Sequence, residues 1–190
     1  MMQKTRAVVL SVLMGLACAV NGADFKHENK PQNLKALFER IHQEAHIKKD
    51  NKQAAALFRS MLPDEARAKK GLKDGIAPDT LRQIHEMHQK LRSSINDEGA
   101  ARIARAAQKD VQVHGATTED IIRYRQGSVA YKEFPGGAKR VADQLLRPGV
   151  TFYEVEYLEP GKDAGMKYHL IYWDGTQWSM LGPLWRVLKS

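Results

Sequence analysis

Cysteine is almost absent. The only one, Cys18, falls inside the opening segment "MMQKTRAVVLSVLMGLACAVNGADF". There Lys4 and Arg6 precede an apolar run from Ala7 to Val20, and Ala17, Ala19 and Gly22 supply the small residues of a cleavage site. That order is the order of a secretory signal peptide. The expected cut follows Gly22, with a cut after Ala19 as the competitor. Cleavage would remove the only thiol, which excludes disulfides, a cysteine nucleophile and thiolate metal sites from the mature chain. A lipid anchor on Cys18 is the weaker expectation, because Gly15 stands where a lipobox carries leucine. A secreted or periplasmic location follows.

Long hydrophobic runs are also lacking. Ala7–Val20 is 14 residues, short of the roughly 20 that span a bilayer, and no later segment is apolar enough, so no transmembrane segment is expected after cleavage. Charge of one sign never accumulates either. Taking Lys4 and Arg6 away leaves 28 basic residues against 22 acidic ones and lowers the formal charge from +8 to +6. Residues 23–110 hold 18 basic and 13 acidic residues, and 111–190 hold 10 and 9. A modest, interspersed positive field suits a protein partner or an anionic envelope component. With no basic run and no recognition motif, nucleic acid is excluded.

What remains is a polar lead at 23–32 and one expected domain of α+β class over 33–190, helical at 33–109 and mixed at 110–190. Apolar residues at helical spacing (Leu34, Leu37, Phe38, Ile41, Ala45) predict a helix capped by Asn33. A second helix starts at Asp50 with Gln53 in the capping-box position and stops at Pro63. A short third helix ends at Gly75, and a fourth, opened by Pro78, repeats Leu81, Ile84, His88, Leu91 and Ile95. The alanine-rich "EGAARIARAAQKD" reads as a marginal helix. "VQVHGATTEDIIRY" predicts a short strand, a glycine turn and a helix capped by Thr117. "GSVAYKEFPGG" fits a strand or a loop, and "AKRVADQLL" a short helix.

Three strands follow, "VTFYEVEYLE", "MKYHLIYW" and "TQWSML", giving a C-terminal antiparallel sheet of three to four strands on which the helical half packs. Alternation puts Tyr153, Val155 and Tyr157 on an apolar face and Glu154 and Glu156 on a solvated one. A two-residue turn at Asp174–Gly175 would set Ile171 opposite Trp178 and His169 opposite Met180; a three-residue loop would set Trp178 beside Leu170. Residues 150–190 carry 8 of the 14 aromatics that follow the signal segment. Their bland role is core packing. If instead they line a pocket, its ligand-binding residues are His169, Trp173, Trp178, Tyr153, Tyr157 and Arg186.

Helices followed by an antiparallel meander ending in a "DGTQW" hairpin resemble the NTF2-like (SnoaL-like, cystatin-like) superfamily of cone-shaped domains. The likeness rests on "LKALFERIHQEAHIKKDNKQAAALF" and "TFYEVEYLEPGKDAGMKYHLIYWDGTQWSMLGPLWRVL". It implies a curved sheet around a cavity. The superfamily holds enzymes, ligand carriers and uncharacterised secreted modules, so a fold match transfers little function.

Individual chemistries mostly fail on spacing. His42 and His46, in "HQEAH", and His85 and His88, in "HEMH", miss the zincin pattern, and no third ligand is identified, so no metal and no cofactor are expected. His42 and His46 fall at the edge of the apolar stripe, while His88, in mid-stripe, reads as a hydrogen-bonded packing residue. Ser128 lacks the second glycine of a nucleophile elbow. Glu154 and Glu156 share a strand face at the separation of a glycosidase pair, but solvent exposure is the simpler expectation. An anion could sit on Gly136, Gly137, Lys139 and Arg140, where two glycines open a helix beside two cations. The expected function is a non-catalytic binding module, and the alternative is a cone-pocket enzyme or small-ligand carrier using His169 and neighbouring aromatics.

Overall fold

The computed structural model describes residues 29–188. The expected signal peptide at 1–22, with Cys18 and both proposed cleavage points, lies outside them, as does most of the polar lead.

Helix α1 (Pro31–His42) begins with proline in its first turn, so its cap is Lys30 rather than Asn33, and it continues as a π-helical turn over Gln43–Ile47. Its buried stripe is the expected one, Leu34, Leu37, Phe38 and Ile41. Helix α2 (Asn51–Ser60) starts where Asp50 accepts from the Gln53 N–H at 2.9 Å. Helix α3 (Glu65–Gly71) is capped by Asp64. Helix α4 (Pro78–Ser94) buries Ile84 and His88. The alanine-rich segment forms only one turn, α5 (Asp97–Ala100), and then a loop anchored by the buried Ile103 and Ala104.

Strand β1 (Asp110–Thr117) runs straight through Gly115, where the sequence suggested a turn. The glycine is there because the Tyr153 ring lies across it: a Cβ would come within 2.8 Å of that ring. Helix α6 (Thr118–Arg123) has the expected Thr117 cap. Residues 129–133 form helix α7 (Val129–Glu133), not a strand or loop, because the Ser128 hydroxyl accepts from the Tyr131 N–H and starts a turn. Helix α8 (Gly136–Gln144), strands β2 (Thr151–Leu158), β3 (Met166–Trp173) and β4 (Trp178–Met180), and a 3₁₀ turn at Leu184–Arg186 complete the chain. None of the described helices is long and apolar enough to cross a membrane.

The fold is α+β, with an open antiparallel sheet in the order β1-β2-β3-β4. β1 and β2 pair over their full length. Between β2 and β3 the register changes: Tyr153 faces Ile171, but Val155 faces Tyr168. Glu154 is therefore opposed by two residues, His169 and Leu170, which is a β-bulge. Leu170 sits in it at φ 54°, a left-handed conformation that non-glycine residues rarely adopt. In the last hairpin Trp173 faces Trp178 and Ile171 faces Met180. The loop therefore has four residues, 174–177, correcting both shorter loops inferred from the sequence. Asp174 explains the length, since its Oδ1 accepts from the N–H groups of Thr176 and Gln177 and holds the wider turn closed.

Helices cover both faces of the sheet. Helices α1 and α2 with the 100–104 segment pack on one face, around Phe38, Phe58, Tyr153, Val155, Tyr157, Ile171 and Trp178. The other face receives Leu72, Ile84, Ile121, Phe134, Val141, Phe152, Leu170 and Tyr172, drawn from both halves of the chain. The supposedly solvated strand face is thus buried. Glu154 is 1% exposed and Glu156 4%.

Candidate functional site

The bulge decides where the site lies. Regular alternation would place His169 with Ile171 and Trp173; the extra residue instead turns His169 to the face that carries Glu154. Nδ1 of His169 pairs with a carboxylate oxygen of Glu154, and the other oxygen accepts from the Leu170 N–H at 3.3 Å. Burial raises the Glu154 carboxyl pKa above the ordinary carboxylate range, and the contact with His169 acts in the opposite direction. The ring also meets Trp185 edge-on, with centroids 4.9 Å apart. With Nδ1 engaged and no hydrogen bond from Nε2 among the described residues, Nε2 is the nitrogen left for a ligand.

A cleft opens beside it because β4 is only three residues long. Leu181 and Gly182 continue hydrogen bonding to Leu170 and His169, but at Gly182 (φ 75°) the chain turns off toward the 3₁₀ turn. The outer margin of Met166–Tyr168 is left without a strand and faces the 94–103 segment instead. The Tyr168 hydroxyl bridges to the Ile103 carbonyl. The space between has a volume of about 460 Å³. Phe58, Leu91, Ile95, Ile103, Met180 and Trp185 give it apolar walls, and Arg102, Lys167, His169 and Arg186 are its ionisable members. Lys167 is itself paired, 3.2 Å from both Glu156 and Glu133. Desolvation opposes its charge, but the two carboxylates outweigh it and hold the pKa above the ordinary lysine value. The two strand carboxylates are thus each taken by a β3 cation or imidazole. They do not stand free as a glycosidase pair would require.

Of the six residues suggested by the aromatic cluster, His169 and Arg186 line this cleft. The other four do not: they belong to the layer that also supplies the Phe58 and Met180 walls of the cleft. Trp178, Tyr153 and Tyr157 are 2%, 5% and 0% exposed, and half-buried Trp173 packs edge-on against Trp178 at 5.3 Å. The Tyr157 hydroxyl donates to the Phe38 carbonyl at 2.6 Å. These aromatics are surrounded by core neighbours and do not border the hollow. Of the suggested anion residues, Gly137 is the seat of Trp185: a Cβ there would come within 2.9 Å of the indole. Gly136, Lys139 and Arg140 are exposed at the start of α8.

Three of the histidines outside the cleft serve packing. His42, placed at the stripe edge by spacing, is buried. Its Nε2 meets the Ala106 carbonyl at 3.2 Å, and that of His46 meets Ala104 at 2.8 Å, so the pair pins the loop after α5. His88 meets the Leu181 carbonyl at 3.0 Å, as a packing histidine would. Among the described residues no three His, Cys, Asp or Glu side chains gather in a way that could hold a metal ion. Glu154, Lys167, Arg102 and Trp185 escaped the sequence. Alternation placed Glu154 in solvent, and His169 and Arg186 were the residues of the sequence that pointed toward this region. Compared with protein-family models, with curated proteins and with solved structures, the chain matches none.

Proposed function

We propose that the protein is an exported ligand-binding domain whose cleft takes a small organic anion with an apolar body, anchored at His169. One observation carries this: a buried carboxylate fixes the imidazole at the cleft, so the polar anchor is oriented before a ligand arrives. Preorganisation of this kind lowers the entropic penalty of binding. Apolar walls accept the body of such a ligand, and Arg102 and Arg186 supply positive potential for its acidic head. An amphipathic envelope acid is one molecule of this chemistry, and the N-terminal signal order supports export. The natural probe is anilinonaphthalene sulfonate, an aryl sulfonate whose fluorescence rises in apolar sites. Saturable binding is expected, displaced by decanoate and weakened about tenfold or more by His169→Ala, with a smaller loss for Glu154→Gln. Absence of saturable binding, or equal binding by His169→Ala, overturns the proposal.

The same pair favours a second function, proton transfer. In its neutral form the imidazole donates its Nδ1–H to the carboxylate and presents a lone pair at Nε2, the arrangement of a general base; protonated at both nitrogens, it instead offers Nε2–H to an anion. Hydrolysis of p-nitrophenyl acetate above the buffer rate, lost in His169→Ala, is its expected signature. Without that rate the cleft binds only.

A further inference from the structure

A second cleft, of about 470 Å³, lies on the other flank of α4, between the ends of α2 and α3 and the 174–177 loop. Its chemistry differs from that of the His169 cleft. Three arginines, Arg59, Arg67 and Arg92, line it together with His85 and His88, against one carboxylate, Asp64. Asp64 is already engaged, accepting from the Arg67 N–H at 2.8 Å. Arg67 is neutralised by Asp174 at 2.7 Å. Arg59 and Arg92 have no carboxylate partner among the described residues.

Those two are nonetheless held in place. Arg59, on α2, donates to the Ile95 carbonyl just beyond α4 at 3.1 Å; Arg92, on α4, donates to the Leu62 carbonyl just beyond α2 at 2.7 Å. Each guanidinium thus caps the C-terminal end of the other's helix, where the backbone is negative. This reciprocal clasp uses one N–H of each fork and leaves the others unengaged by the described residues. The concentration of positive charge registers on a neighbour: burial first, then the charges of Arg92 and His85, depress the pKa of His88.

We infer that this cleft binds a phosphate or sulfate ester carried on a hydrophilic body such as a saccharide. Paired guanidinium forks match a tetrahedral oxyanion and can bind it through more than one N–H. The volume exceeds what a bare ion fills, on the order of two water volumes or ~60 Å³, so space remains for the molecule that carries it. Ser60, Gln89 and Gln177 line that space, offering hydroxyl and amide groups to a polyol. The site is independent of the His169 cleft. His85, His88, Gln89 and Arg92 face one side of α4, while Leu91 and Ser94 face the other.

Titration of the protein with glucose phosphate, glucose sulfate and glucose, followed by amide chemical shifts at constant ionic strength, tests this. Saturable shifts at residues 59–67 and 85–92 are expected with an ester and none with glucose. The stronger of the two esters names the oxyanion. Gln89→Glu puts a carboxylate on the exposed side of the cleft, one turn from Arg92, and should weaken binding about threefold. Arg92→Lys keeps the charge but loses the fork and should weaken it several-fold. His169→Ala should leave the affinity within about twofold. Absence of saturable shifts with both esters overturns the inference, as do unchanged affinity in Gln89→Glu and shifts centred on residues 102–103, 167–169 and 183–186.

Discussion

His88 shows what a buried titratable side chain does to a fold that has no use for its charge. It is 4% exposed and hydrogen bonded to a backbone carbonyl, and both burial and nearby cations lower its pKa from 6.5. His42 is lowered for the same first reason and by His46. A depressed pKa means that the unfolded chain binds the proton more readily than the folded one. The stability these residues contribute is therefore complete above pH 6.5 and lost as pH falls through their folded values. The urea midpoint should drop between pH 7 and about 5. His88→Gln keeps a donor for the Leu181 carbonyl but does not titrate, so its stability should fall less steeply over that interval. Equal slopes for the two proteins would show that another group governs acid unfolding. Leu170 is a different case of the same kind: its left-handed backbone is disfavoured locally, and full burial of its side chain helps to offset that.

Among elements, the last hairpin depends most on one contact. Arg67 of α3 reaches Asp174, the Ser179 hydroxyl and the Trp178 carbonyl, so a single guanidinium ties the helix to the loop and to β4. The Asp174 side chain is 0% exposed, and its hydrogen bonds hold its carboxyl far below the usual carboxylate range in spite of burial. Asp174→Asn removes the charge and leaves the guanidinium, 18% exposed, without its counterion. A loss of about 3 kcal/mol in denaturant unfolding is expected; a loss under about 0.5 kcal/mol would mark the pair as a surface contact in energetic terms.

This contact also explains which parts of the structure could be read from the chain. The stripe of α1, the Asp50 and Thr117 caps and the Ala-Pro start of α4 are local, set by residues within a turn of one another, and spacing found them. The four-residue loop is closed by Asp174 accepting from Thr176 and Gln177, but the Asp174 side chain is held there by Arg67, 107 positions away, and the Glu154–His169 pair depends on one extra residue in β3. Neither leaves a periodic trace. Burial of Glu154 and Glu156 was hidden because alternation gives the two faces of a strand but not what covers them: the charged face of β2 is roofed by helices, and its charges are met across the sheet by Lys167 and His169.

At the scale of the molecule, one sheet separates two packed layers, and the aromatic residues are divided between them. Phe38 lies in one layer, 0% exposed, against Tyr157 and Tyr168 at ring distances of 5.6 and 5.5 Å. Phe38→Ala should lower stability by about 3–5 kcal/mol. Because both layers share the same strands, the loss should appear at one midpoint by tryptophan fluorescence and by far-ultraviolet circular dichroism. Separate midpoints would show that the layers unfold independently.

The supernumerary residue opposite Glu154 has a consequence for how this chain tolerates change. Along β3, odd-numbered side chains point into the first layer above the interruption and even-numbered ones below it, so the strand switches parity midway. A one-residue deletion there would put the whole strand back in a single phase. Removing Leu170 would do so with His169 still opposite Glu154 and Ile171 still opposite Tyr153, so its cost is the buried Leu170 side chain and the N–H that Glu154 accepts from, not a misdirected indole or imidazole.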